Sequence, residues 1–137
     1  MDKHPYIRAY VAGVAVPTPV VLLGLLVFCF ARAVNNVDIP VERIIIFPFA
    51  LVPNLWGAWN ILYLALRHHR RLPLGVHGAL LPLLVLPPST LAAMKMNIGL
   101  PNFFPALFLI ALPGLLVIYY LAWKYVVRFL NELLEVG

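Results

Sequence analysis

Four long segments of the chain contain no Asp, Glu, Lys or Arg. They cover residues 9–31, 44–66, 72–94 and 96–123, which are 23, 23, 23 and 28 residues long. A helix of 23 residues is about 34 Å long, and the hydrocarbon core of a bilayer is about 30 Å thick. The pattern therefore predicts transmembrane helices over about 9–31, 44–66, 72–94 and 104–124.

These segments predict an all-α integral membrane protein with four antiparallel transmembrane helices in one domain, residues 1–137. Prolines inside the helices predict kinks. Thr18 follows Pro17, and its hydroxyl can bond to a carbonyl that the proline leaves free. The pair Pro87-Pro88 predicts a break or a sharp bend in the outer third of the third helix, with no regular backbone before Met94. Ala9 and Gly13, four apart, predict a close approach to another helix.

The fourth helix is predicted to continue beyond the membrane. Polar residues from Lys124 to Glu135 recur at helical spacing, which is typical of an amphipathic helix. We expect an amphipathic C-terminal extension over about 125–136, on the cytoplasmic side. It would lie on the inner leaflet or dock on another chain.

Composition excludes a water-soluble fold for this chain. The chain is 64% hydrophobic and 11% charged, whereas soluble domains average about 45–50% and about 25%. The formal net charge is +5, but the basic residues flank the apolar segments. They therefore indicate membrane topology and contact with anionic lipids rather than nucleic-acid binding. The single cysteine, Cys29, excludes an internal disulfide.

The basic residues also predict an orientation. With four spans, both termini lie on one side together with the 67–71 turn, and that side carries seven basic residues against three. The seven are Lys3, Arg8, Arg67, Arg70, Arg71, Lys124 and Arg128, and the three are Arg32, Arg43 and Lys95. The positive-inside rule then predicts a multi-pass membrane protein with both termini cytoplasmic, in a bacterial inner membrane.

A cleaved signal peptide is the alternative for the first segment, because Ala31-Arg32-Ala33 resembles a small-x-small cleavage site. A signal peptide has an apolar region of about 7–15 residues, and this one is longer. The length favours an uncleaved helix.

The main polar cluster of the spans lies in the middle of the second helix, at Pro53–Asn60. Amides at membrane depth commonly bond to neighbouring helices, for about 0.6–2 kcal/mol. His77 is the one histidine inside the third helix. A packing role is favoured for it, and the alternatives are a haem ligand or a proton carrier. No second histidine lies at matching depth in another span. We predict a ligand-binding or helix-packing node formed by Asn54, Trp56, Trp59, Asn60 and His77.

Two loops carry the remaining charges. In the short turn after the second helix, two histidines lie among three arginines, which would repel a metal cation. We therefore expect lipid headgroup contacts from Arg67, His68, His69, Arg70 and Arg71. In the first outer loop, Asp38 and Glu42 are expected to be solvated charges, one of them near Arg43.

The stretch from Trp56 to Tyr63, Trp-Gly-Ala-Trp-Asn-Ile-Leu-Tyr, resembles the tryptophan-rich segment of the translocator-protein family. The resemblance covers eight residues. That family has five spans and a Pro-Pro-x-Trp element, and this chain has neither. We therefore assign no family.

No catalytic constellation is present in the sequence. The chain has one serine, Ser89, no CxxC, no HExxH and no phosphate-binding glycine loop, and no acidic residue lies inside a predicted span. The sequence favours a non-catalytic packing or assembly component, without metal or cofactor, that contacts lipids and either itself or a larger membrane complex. One alternative is a small channel or carrier for a neutral or anionic solute, lined by Asn54, Asn60 and His77. A third is an apolar-ligand or pigment-binding protein that uses Trp56, Trp59 and His77.

Overall fold

The computed structural model describes residues 4–36, 41–45, 49–67, 69, 72–95 and 104–136. All regular secondary structure in these residues is helical, which confirms the all-α fold class. The elements are α1 Pro5–Ala15, α2 Pro17–Asn35, α3 Val41–Ile44, α4 Leu51–Leu66, α5 Leu74–Lys95, α6 Phe104–Leu121, a π-helix Ala122–Val127 and α7 Arg128–Leu133.

Two helical stretches are long and apolar enough to cross a membrane. They are Pro5–Asn35, of 31 residues, and Ile110–Leu133, of 24 residues. Only 6% and 11% of their most apolar windows are buried, unlike a core helix of a soluble protein. The two other apolar helical stretches, Leu51–Leu66 and Leu74–Pro88, are too short to be clear spans. The part of the chain that the structure describes therefore holds four apolar helical stretches, of which two have clear spanning length.

The chain divides into two compact units, Met1–Ala65 with Asn131–Gly137, and Leu66–Leu130. In the first unit, α1 and α4 supply most of the buried residues. In the second unit, α5 packs along α6 and the π-helix. The single transmembrane domain over residues 1–137 stays a prediction.

The first helical stretch is divided at the position where the sequence predicts a kink. α1 ends at Ala15 and α2 begins at Pro17, while Val16 between them keeps helical angles of φ −73° and ψ −55°. The Thr18 hydroxyl donates to the Val14 carbonyl at 2.6 Å. Pro17 removes the backbone donor to the Gly13 carbonyl, whereas the Thr18 hydroxyl bonds to the next carbonyl, that of Val14. The predicted repair of a carbonyl freed by Pro17 therefore stays a prediction. The helical angles of Val16 keep the helical course from α1 into α2.

Within the predicted helix over 44–66, the described residues form a continuous α-helix only from Leu51 onward. The structure has the short α3, then α4, which begins only at Leu51 and has 16 residues. The Ala50 N–H donates to the Ile45 carbonyl at 3.0 Å, a five-residue spacing typical of a π-type turn. Pro48, which removes one backbone donor here, lies outside the described residues.

The predicted break at Pro87-Pro88 is wrong, and the alternative of a bend there stays a prediction. α5 runs from Leu74 to Lys95 through Pro82, Pro87 and Pro88. The Thr90 hydroxyl donates to the Pro87 carbonyl at 2.8 Å. Each proline removes one N–H donor, and in apolar surroundings the other N–H groups have no better acceptors than helical carbonyls. The remaining backbone hydrogen bonds therefore keep α5 helical.

The C-terminal extension is helical and continuous with the fourth helix as predicted, but it is shorter than the predicted 125–136. α6 passes directly into the π-helix and α7, and the helix ends at Leu133. Trp123 and Val127 are fully buried, and Asn131 is 9% exposed. Glu135 adopts φ 51°, and the Val136 N–H donates to the Asn131 carbonyl at 2.8 Å, which closes the last turn.

Candidate functional site

A buried pair of side-chain amides joins three helices in the first unit. Asn60 of α4 has no exposed surface, and its Nδ2 donates to the Ala9 carbonyl of α1 at 2.7 Å and to Asn131 Oδ1 at 2.8 Å. Asn131 Nδ2 donates back to Asn60 Oδ1 at 3.2 Å. Both N–H groups of Asn60 and its oxygen thus have partners within this chain. We call Asn60 and Asn131 the amide pair.

The sequence places Asn60 in the core through the spacing of α4. The buried residues of α4 are Trp56, Gly57, Asn60 and Leu64, which share one side of the helix. Asn60 is the polar member of this stripe. Packing of its apolar neighbours therefore carries the amide into a site where it needs hydrogen-bond partners.

Close contact of two backbones lets Asn60 reach Ala9. A Cβ atom added to Gly13 would lie 2.5 Å from the Trp56 carbonyl oxygen and 2.8 Å from Gly57 Cα. Ala9 and Ala12 of α1 are also fully buried. The predicted close approach at Ala9 and Gly13 is confirmed, since only small side chains fit between α1 and α4.

The end of α7 is held to α1 by a second contact. Arg8 Nη1 lies 3.4 Å from the Leu134 carbonyl oxygen and 3.4 Å from Glu135 Oε2. The Arg8 side chain is 34% exposed and that of Glu135 is 77% exposed, so the ion pair is partly screened by solvent. The amide pair is therefore the better-shielded of the two links.

Asn54 belongs to a different surface of α4. Its side chain is exposed, Oδ1 accepts a hydrogen bond from the Tyr10 hydroxyl, and Nδ2 donates to the Ala50 carbonyl at 2.7 Å. Ala50 and Ala58 are exposed beside it, while Trp59 is half-buried. The structure thus brings Trp56 and Asn60 together on the buried stripe and places Asn54 on an outward face.

His77 lies in the second unit. It is 4% exposed, and its ring meets Trp123 edge-on with 5.9 Å between centroids and 66° between planes. A Cβ atom added to Gly78 would collide with the Trp123 side chain, so α5 lies directly against the π-helix. This environment is that of a packed histidine, the role that the sequence favours over a haem ligand.

The basic turn is only partly described. Arg67 is half-buried, and His69 is exposed with its backbone N–H donating to the Leu66 carbonyl at 2.9 Å. His68, Arg70 and Arg71 lie outside the described residues. Contact of this turn with lipid headgroups stays a prediction.

One charged contact outside these groups joins α2 and α3, and the predicted proximity to Arg43 stays a prediction. Glu42 Oε1 accepts a hydrogen bond from Arg32 Nη1 at 2.7 Å. This bond and the Arg32 charge hold the pKa of the Glu42 carboxyl below its usual range. Glu42 is solvated as predicted, and its partner is Arg32 at the end of α2. Asp38 lies outside the described residues.

Sequence reasoning missed Asn131 as the partner of Asn60, because it placed residue 131 on the polar side of a surface helix. A usable signal was present. Trp123, Val127 and Asn131 are four residues apart and therefore share one helix face, and all three are buried. An asparagine that continues an apolar stripe indicates a buried amide rather than a solvated one.

Two further features bear on possible chemistry. The described residues contain no group of three His, Cys, Asp or Glu side chains that would hold a metal ion. A shallow, open apolar groove of about 350 Å³ runs along the junction between α1 and α2, lined by Tyr10, Val11, Val14, Ala15, Thr18 and Pro19. Among the described residues, the amide pair is thus the buried polar group around which a functional site is best argued.

Comparison of the chain with protein-family models, with curated proteins and with solved structures finds no match.

Proposed function

We propose that this chain is a four-span membrane protein with both termini cytoplasmic, and that it is a non-catalytic packing component. It assembles with copies of itself or within a larger membrane complex. The amide pair is the single observation that carries the proposal, because the most buried polar group of α4 serves to join helices.

The hydrogen bonds of Asn60 all go to partners within this chain, which supports a packing role over a transport role. A polar residue that lines a solute path must leave donors or acceptors facing the path. Asn60 instead gives both N–H groups and its oxygen to Ala9 and Asn131. Replacing these bonds by bonds to a solute would separate α1, α4 and α7.

The outer surface supports contact with lipid or protein. Large apolar side chains of α2 are strongly exposed, with Val20 at 70%, Leu23 at 63% and Phe30 at 67%. Such a surface is unfavourable in water and suits a membrane. Four spans require α4 and α5 to cross as well. The 22 residues of α5 extend about 33 Å, and the 16 residues of α4 about 24 Å, so α4 would cross together with the turn before it.

The test is to purify the protein in mild detergent and measure its mass by light scattering, then reconstitute it in liposomes. We expect an assembly larger than one chain, a colourless protein, and no flux of glycerol or chloride above that of empty liposomes. Flux that is abolished in Asn60→Leu while the assembly persists would overturn the proposal in favour of a channel. A visible chromophore would overturn it in favour of pigment binding.

A further inference from the structure

α4 presents a second, outward face that leads away from the amide pair. Five exposed positions spaced three or four residues apart form this face: Leu51, Asn54, Ala58, Leu62 and Ala65. We call these five residues the outward face of α4. They lie on the side of the helix opposite the buried Trp56 and Asn60.

The amide of Asn54 is the chemically distinctive group on this face. A side-chain amide has two N–H donors and an oxygen that can accept two bonds. Among the described residues, Asn54 uses one N–H toward Ala50 and accepts one bond from Tyr10. One N–H and one acceptor position of Asn54 therefore have no partner in the part of the chain that the structure describes. The residues from 44 to 66 are all uncharged, so this amide lies within an apolar segment. A polar group without hydrogen-bond partners is costly there.

The remaining hydrogen-bonding capacity of Asn54 indicates what covers the face. Lipid chains provide neither donors nor acceptors, so lipid alone would leave the amide unsatisfied. An amide is self-complementary, because the N–H of one copy can meet the oxygen of another across a two-fold axis. The face has no charge that a differently charged partner would have to match, and Ala58 next to Asn54 allows a close approach of two backbones.

We propose that the outward face of α4 is the contact between two copies of this chain, with the two Asn54 side chains bonded to each other. This inference rests on the proposed packing function and adds the partner and the surface. The two bonds form across the two-fold axis, one in each direction.

Disulfide cross-linking tests the contact in membranes. The background is Cys29→Ala, which removes the chain's one cysteine. Ala58→Cys places a thiol on the outward face, and Ala111→Cys is the matched control at an exposed alanine of α6. On oxidation we expect rapid dimer formation by Ala58→Cys and little by Ala111→Cys. Adding Asn54→Leu removes both bonds and should weaken the dimer about eightfold to three-hundredfold, the combined effect of two interhelical hydrogen bonds.

A second variant separates the amide's role from its bond to Tyr10. Tyr10→Phe removes that bond and keeps Asn54, so we expect dimer affinity to be retained, with helicity by circular dichroism as the folding control. Equal cross-linking of Ala58→Cys and Ala111→Cys in an assembled protein would overturn this interface and leave the packing function standing. A folded dimer that Asn54→Leu does not weaken would overturn it in the same way. A chain that is monomeric in detergent and in membranes would overturn this interface, and it would overturn the packing function as well if no other membrane protein co-purifies with it. An assembly with a different protein on this face would overturn the second-copy partner alone.

Discussion

At the scale of single residues, the effects of substituting the two members of the amide pair should not be additive. Asn60→Leu or Asn131→Leu alone leaves a buried amide without its partner, so each should cost about 1–3 kcal/mol of the free energy of unfolding. The double variant removes both polar groups and should cost less than the sum of the two, by about 0.6–2 kcal/mol. Unfolding of the detergent-solubilised protein by SDS measures the four free energies. Strict additivity would contradict the reciprocal bonding of the two amides.

The Arg32–Glu42 contact should be visible as a pH effect. The hydrogen bond from Arg32 lowers the folded-state pKa of Glu42, so the pair stabilises the fold at pH values above the unfolded pKa, near 4.3. That contribution is lost as pH falls through the lower folded pKa. NMR titration of labelled glutamate should show the Glu42 pKa rising toward its usual range in Arg32→Gln. Arg8→Gln removes an equal charge elsewhere and should leave Glu42 unchanged; equal effects of the two variants would contradict the assignment.

At the scale of helices, two glycines in different surroundings should respond oppositely to the same substitution. Gly13→Ala would place a Cβ atom against the Trp56 backbone and force α1 away from α4, for an expected loss of about 1–3 kcal/mol. Gly114→Ala meets no described atom within 4 Å, and helix propensity predicts a gain of up to about 1 kcal/mol.

The same unfolding measurement compares the two glycine variants. Gly13→Ala should also be measured in the Asn60→Leu background. There it should lower the free energy of unfolding by a smaller amount, because the bond from Asn60 to the Ala9 carbonyl is already absent. Similar stability of Gly13→Ala and Gly114→Ala would contradict the close packing of α1 on α4.

The helices themselves could be predicted from the sequence, because hydrophobicity and the absence of charge decide where a chain of this kind is helical. A bond from the Thr18 hydroxyl to a carbonyl of the preceding turn could be predicted too, since it depends on residues close in the chain. The break predicted at Pro87 and Pro88 is absent from α5, because proline alone does not end an apolar helix.

The candidate site could be predicted only in part, because its contacts join residues far apart in the chain. Asn60 was identified from its place in an uncharged helix, but its partner Asn131 is 71 positions away, and no local pattern links the two. The different faces of Asn54 and Asn60 can be predicted, because six positions turn a helix by about 120°. The structure agrees, since Asn60 is buried and Asn54 is exposed.

At the scale of the whole molecule, the number of spans decides where the basic turn lies. If only Pro5–Asn35 and Ile110–Leu133 cross the membrane, everything between them lies on one side, and Asn35 and His69 share a compartment. If α4 and α5 also cross, Asn35 and His69 lie on opposite sides. The two topologies therefore make opposite predictions for one pair of exposed positions.

Cysteine labelling distinguishes these topologies. In the Cys29→Ala background, Asn35→Cys should react with a membrane-impermeant maleimide added to intact spheroplasts, whereas His69→Cys should react only after permeabilisation, because the basic turn is expected on the cytoplasmic side. A variant without cysteine gives the background, and labelling of both variants in detergent shows that both thiols are reactive. Labelling of both Asn35→Cys and His69→Cys from outside would indicate two spans instead of four. Labelling of His69→Cys alone would keep four spans and invert the orientation.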